Sequence, residues 1–347
     1  MQSPARLPLT IAVATTLLVV GCGKREVEPD ARNKVEAGKQ ESSGLSAARL
    51  KYKSEVQSKP KSAEARYQLG NQLLIEGDAQ DAVSELQRAR ELKHPEAIVV
   101  PRLAEAMMQA GQFKELSLAF GDTQLADAAG QARLLSARAY AMASLDDSAG
   151  AQKLVDQALA SQPQSAEALL MKARLAGVRD DLPAGLATLD TLLAAHPLDD
   201  AAWALKGDLL LRKPDGRQAA MAAYEQALKA RPDQVYSLSA LIALYLAQDD
   251  LDAAKARFAI LSKVAPKHLT TANVEAHLAY AKGDHLRARE IFQSLLRVMP
   301  DNVNLLVASG DNEMRLQSYI QAESQFAKAV TLDPQHFQAR RLLGKTQ

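Results

Sequence analysis

The chain has 347 residues, 42 Lys plus Arg against 41 Asp plus Glu, 47% hydrophobic and 4% aromatic residues, and one cysteine. Balanced charge excludes the basic excess of a nucleic-acid binder, this hydrophobicity excludes wholesale disorder, and a single cysteine excludes internal disulfides and thiolate metal clusters. Few aromatics, with long runs rich in Ala, Leu, Gln, Glu, Lys and Arg, predict an all-α protein.

Residues 1–22 read MQSPARLPLTIAVATTLLVVGC, with Arg6 followed by an apolar run from Leu9 to Val20. Such a run has signal-peptide length and is short for a bilayer span. Its end, Leu18-Val19-Val20-Gly21-Cys22, resembles a bacterial lipobox and contains the only cysteine of the chain. The resemblance implies a signal peptide over 1–21 and a mature N-terminus at Cys22 carrying a diacylglyceryl thioether and an amide-linked acyl chain. More than one chain is needed for stable anchoring. Gly23, in place of the Asp that retains many such lipoproteins in the inner membrane, favours the periplasmic face of the outer membrane.

Residues 22–44 form the lipidated tether; its stretch after Cys22, GKREVEPDARNKVEAGKQESSG, carries charge of both signs and almost no apolar side chains. It cannot bury enough surface to order itself. As a flexible tether it spans about 25 Å on average, or about 75 Å pulled straight.

From residue 45 to 347 the chain is periodic. Pro163, Pro197, Pro232, Pro266, Pro300 and Pro334 follow one another at steps of 34 or 35 residues. Small residues recur in the same step at Ala82, Ala151, Ala220, Ala254, Ala288 and Ala322. Large ones follow four residues later at Leu86, Val155, Tyr224, Phe258, Phe292 and Phe326. Both sets fall on one helical face. Units begin near Ala63, Ala97, Ala132, Ala166, Asp200, Val235, Leu269 and Val303, each with two helical stretches of about a dozen residues. Gly-Asp or Asp-Asp pairs, or Pro214-Asp215-Gly216, mark most of the turns between them.

A 34-residue helix-turn-helix unit of this kind resembles the tetratricopeptide repeat. The stretch AEARYQLGNQLLIEGDAQDAVSELQRARELKHP from Ala63 matches its pattern, as does the unit with Trp203, Gly207, Ala220, Tyr224, Ala227 and Pro232. The resemblance implies a right-handed α-solenoid of about eight repeats, with partial repeats at both ends. Ala47 to Pro60 reads as the second helix of a leading half-unit, and Phe337 to Gln347 as a trailing first helix. Leu116 at a small-residue site, and Gly185 with Leu192 in the fourth unit, predict looser packing over 113–131 and 180–195.

No HExxH, GxSxG, GxxxxGK[ST] or GxGxxG string occurs. His94, His196, His268 and His336 fall in turns between units. His277 and His285 lack the further partner that a metal site needs, and read as solvated surface histidines. The Asp doublets at 146, 180, 199 and 249 read as helix caps rather than calcium ligands. The expectation is a non-enzymatic protein with no metal, no cofactor, no small-molecule substrate and no nucleic-acid partner.

What a solenoid offers is a concave surface lined by its first helices. One groove-facing position per unit gives Asn71, Glu105, Tyr140, Arg174, Asp208, Ala243, His277 and Asp311, joined one turn on by Ile75, Met108 and Arg315. This ladder lacks the paired Lys, Asn and Arg of the carboxylate clamps in this repeat class, which argues against an acidic C-terminal peptide. An extended or helical protein segment fits the mixture better.

The stretches 62–113 and 202–211, together with the lipobox, are similar to the N-terminal part of the PEP-CTERM system TPR-repeat lipoprotein family. That resemblance implies a scaffold for exopolysaccharide assembly or export linked to surface-protein sorting. The chain is much shorter than is usual for the family, so it would be a short or truncated form. An alternative is a pilotin-like outer-membrane lipoprotein that assists secretin or type IV pilus assembly.

Overall fold

The computed structural model describes residues 46–346. The segments expected to be a signal peptide and a lipidated tether, with Cys22, lie outside the described residues. Among the described residues there are eighteen helices and no strand. In chain order they are α1 (Ala47–Ser58), α2 (Ala63–Ile75), α3 (Ala79–Glu91), α4 (Glu96–Gln109), α5 (Phe113–Leu118), α6 (Ala128–Ser144), α7 (Ser148–Ser161), α8 (Ala166–Val178) and α9 (Leu182–Ala195). There follow α10 (Asp200–Leu211), α11 (Arg217–Ala230), α12 (Val235–Leu246), α13 (Leu251–Val264), α14 (Leu269–Ala281), α15 (His285–Val298), α16 (Val303–Arg315), α17 (Tyr319–Leu332) and α18 (Phe337–Thr346). They form two compact units, one ending at Pro197 and the other beginning at Leu198. Each is a run of helical hairpins in which consecutive helices pack together.

The turn inside most hairpins uses one backbone device. Gly77, Gly111, Asp146, Asp180, Asp249, Gly283 and Gln317 occupy the same place in their repeats and all have φ between 58° and 83°. A left-handed residue there ends the first helix, since the chain cannot continue the right-handed turn. The next residue starts the second helix, and the Asp147, Asp181, Asp250 and Asp284 side chains accept the backbone N–H three residues on. The Asp doublets at 146, 180 and 249 are therefore one left-handed residue and one cap. Asp199 caps α10 in the same way from the other kind of turn. The longer Lys213-Pro214-Asp215-Gly216 turn lacks the left-handed residue. It brings Gly216 so close to the Leu210 carbonyl that a Cβ would stand 1.7 Å from the oxygen.

Interleaved small and large residues hold each hairpin together. Ala82, Ala151, Ala220, Ala254, Ala288 and Ala322 are fully buried, and so are Leu86, Val155, Tyr224 and Phe326, with Phe292 nearly so. Phe258 is only half-buried. Gly207 lies under the Tyr224 ring and Gly310 under Phe326; a Cβ on either would fall 2.6 Å from a ring carbon. Helices can approach this closely only where one side has no bulk.

The expected looseness over 113–131 takes the form of a truncated helix. α5 has six residues, and residues 119–127 are irregular. Leu116, fully buried where other repeats place alanine, occupies the space needed for close helix approach. Arg138 of α6 reaches into this region and donates to the Ser117 carbonyl at 3.2 Å and the Phe120 carbonyl at 3.5 Å. A cation thus faces the Ser117 carbonyl at the end of the truncated helix, and the Phe120 carbonyl that also accepts the Thr123 backbone N–H. Burial pulls the Arg138 pKa down, opposed by Asp122. The expectation for 180–195 needs correction: α9 is a complete fourteen-residue helix with Gly185, Leu189, Leu192 and Leu193 buried. Bulk removed at Gly185 is balanced by bulk added at Leu192.

Candidate partner-binding face

The face presented by the first helices is described unit by unit. In the unit ending at Pro197, Asn71 stands on α2, Glu105 and Met108 on α4, Tyr140 on α6 and Arg174 on α8. All five are partly exposed, and Ile75 is 68% exposed at the end of α2. The Tyr140 ring meets the Phe113 ring edge-on, with centroids 5.9 Å apart, while the Arg174 guanidinium lies 5.7 Å from its centroid. A cation over an aromatic ring is attracted to its negative face. Adjacent rungs are therefore coupled, and Tyr140 is held from two sides. One rung earlier, Arg102 donates to Glu105 at 2.7 Å. Asn71 keeps a buried Oδ1 with no hydrogen-bond partner among the described residues.

In the unit beginning at Leu198 the same positions are largely used up by internal packing. Asp208 on α10 accepts hydrogen bonds from Tyr224 at 2.6 Å and Tyr236 at 2.7 Å. Burial, reinforced by that carboxylate, pushes the Tyr224 phenol far above its ordinary pKa. Tyr280 donates to Asp311, and Arg315 donates through Nε to the Tyr280 oxygen at 3.0 Å. Burial and Asp311 push the Tyr280 phenol up as well. Tyr280 joins two of the predicted residues. It lies one turn beyond His277, a helical spacing visible in the sequence, but nothing there shows which neighbour its hydroxyl meets.

Two positions on the ladder are corrected by the structure. Ala243 is fully buried, and His277 is 6% exposed. His277 is neither solvated nor a groove-lining side chain; its ring stands edge-on to Phe292 at 5.4 Å, and its Nε2 has no partner among the described residues. α14 packs against α12, whose sequence VYSLSALIALYL is buried nearly all round and shares a core cluster with Val274 and Leu278, and against α15, which supplies the Phe292 ring beside His277. Burial alone pulls the His277 pKa down to about 4. His285 sits against Tyr280 and 3.1 Å from Asn312 Oδ1, so the two histidines have separate surroundings. Among the described residues no group of three or more His, Cys, Asp or Glu side chains is placed to hold a metal ion. No helix there is long and apolar enough to cross a membrane.

Hairpins of this length, with a small residue of the first helix under a large residue of the second and a left-handed turn between them, repeat through both units. The fold is a tetratricopeptide-repeat solenoid. A family model described as tetratricopeptide repeat matches residues 170–235 and 240–303. Among solved structures the chain is similar to one in the crystal structure of the APC/C hetero-tetramer Cut9-Hcn1, with 14% identity and a TM-score of 0.68. That match covers 85% of this chain and spans 58% of the other. It is also similar to a tetratricopeptide repeat protein from Parabacteroides merdae, with 17% identity, a TM-score of 0.46, and coverage of 82% of this chain and 98% of that one. No curated protein matches the sequence.

Proposed function

We propose that the protein is a membrane-anchored periplasmic scaffold that holds a protein partner on the first-helix face of its repeats, in exopolysaccharide assembly or export of the PEP-CTERM type. The observation that carries the scaffold reading is the coupled rung Phe113–Tyr140–Arg174, beside exposed Ile75 and the Asn71 amide. Together these supply aromatic area and a cation, with Asn71, Ile75, Tyr140 and Arg174 on first helices and Phe113 at the start of the second helix α5. Aromatic and Arg side chains are the residue types that dominate binding energy at protein interfaces. The anchor rests on the lipobox-like segment ending at Cys22. The pathway rests on the sequence likeness of residues 62–113 and 202–211 to the PEP-CTERM lipoprotein family.

The test has two parts. A photo-crosslinking residue at Tyr140 in living cells should trap a discrete protein partner, whereas one at Asp156, on the second helix of its hairpin, should not. Adding Arg174→Ala to the Tyr140 probe should reduce the yield about ten-fold. Equal trapping at both sites would refute the assigned face. Separately, Cys22→Ala should move the protein from the membrane fraction to the soluble periplasm, and unchanged partition would refute the anchor.

A further inference from the structure

The turns between repeats carry a feature that partner binding on the first-helix face does not use. Val264, Val298 and Leu332 are the last residues of α13, α15 and α17, and Leu269 and Phe337 are the first residues of α14 and α18. They are 39%, 63%, 42%, 41% and 78% exposed. All five sit where a second helix hands over to the next first helix, so they mark three successive turns along one edge of the unit. The repeat does not require apolar residues there. The last residues of α7, α9 and α11 are Ser161, Ala195 and Ala230, and the first residues of α8 and α10 are Ala166 and Asp200. Earlier inter-repeat turns expose a large apolar side chain only in isolation, at Leu118 and Leu198, whereas the run over three successive turns falls at residues 264–337.

Charge on this edge is predominantly positive. Lys263, Lys267 and Arg297 are exposed beside the apolar residues, and none has a carboxylate within 4 Å among the described residues. Of the acidic groups nearby, Asp301 pairs with Lys328 at 2.9 Å, while Asp333 accepts the Gln335 backbone N–H at 3.0 Å and keeps its charge, so the unpaired cations outnumber it. Apolar side chains that stand out from turns, flanked by unpaired cations, suit a soft apolar phase bounded by anionic groups.

We infer that the inter-repeat edge formed by residues 264–337 docks on a lipid bilayer containing anionic headgroups. Val264, Leu269, Val298, Leu332 and Phe337 enter the headgroup–acyl boundary, and the cations meet lipid phosphates. This contact is separate from any lipid on Cys22 and orients the repeats relative to the membrane.

The test uses the full-length chain carrying Cys22→Ser, labelled with a polarity-sensitive fluorophore through Val298→Cys, or through Ala195→Cys as control. Vesicles of equal parts phosphatidylglycerol and phosphatidylethanolamine should shift the 298 emission to the blue and allow brominated lipid to quench it, with neither effect at 195. On the labelled chain, Leu269→Ser with Leu332→Ser should weaken that response about ten-fold, and raised salt should weaken it as well. Because these side chains are substantially exposed, the variants should keep the helical circular dichroism of the parent. An unshifted 298 probe overturns the proposal, even if residues 1–21 hold the chain on the vesicles. So does an equal shift at 195. A 298 shift that appears without vesicles as protein concentration rises would also overturn it, and would assign the edge to a second copy of the chain or another protein surface.

Discussion

His277 makes the stability of its unit depend on pH in a way that can be worked out from its surroundings. The folded protein holds the imidazole neutral, at about 4 against an ordinary 6.5, because protonation would place a charge beside Phe292 with no counter-charge. Between these values the unfolded chain binds the proton and the folded chain does not, so stability falls as pH falls. Above 6.5 both states are neutral and the full stability is present; below about 4 both are protonated and the loss is complete. Two and a half pKa units correspond to about 3 kcal/mol in total, of which about 2 kcal/mol is lost between pH 8 and pH 5. Urea unfolding followed by far-UV circular dichroism at those two pH values measures it. Carboxylates titrate in the same experiment, so the quantity to read is the difference between the parent chain and His277→Leu. The variant should lose about 2 kcal/mol less than the parent on acidification. Equal losses would refute the reasoning, because they would mean that His277 gains its proton as readily in the folded state.

Two further outcomes follow from named contacts. Gln317 has φ 60° at a place where Gly77, Gly111 and Gly283 occur in other repeats, so Gln317→Gly should stabilise the unit by about 0.5–1 kcal/mol in urea titration; an unchanged midpoint would show that the left-handed turn carries no strain. Glu313 is buried and bonded to Arg289, which also donates to Ser318 at 2.7 Å. Arg289→Ala should cost about 3 kcal/mol by leaving a buried carboxylate unpaired, and Arg289→Met with Glu313→Leu should recover most of it; failure of the double variant to recover would show that the ion pair is not the source of the loss.

The architecture was legible because repetition multiplies weak signals. One Ala–Leu pair such as Ala82 and Leu86 means little, but six such pairs at steps set by the 34-residue unit locate six of the second helices, α3, α7, α11, α13, α15 and α17. The Asp doublets at 146, 180 and 249 likewise resolve into a left-handed residue and a cap because both jobs need short polar side chains or glycine at fixed places in a turn. The partner-binding face was legible only by position. Helical spacing put Asn71, Glu105, Tyr140, Arg174, Asp208, His277 and Asp311 on equivalent places, and it could not say which stay accessible.

That outcome depends on how close neighbouring helices lie, which is set by side chains distant in sequence. α14 packs against α12 and against α15, whose Phe292 meets the His277 ring, and Tyr224 and Tyr236 occupy the Asp208 carboxylate. Tyr140 and Arg174 remain partly exposed and meet each other. Period, helix ends and turn chemistry are local, so the sequence by itself determined them. Exposure and the pairing of polar groups depend on distances between helices, and the tertiary structure alone decided those.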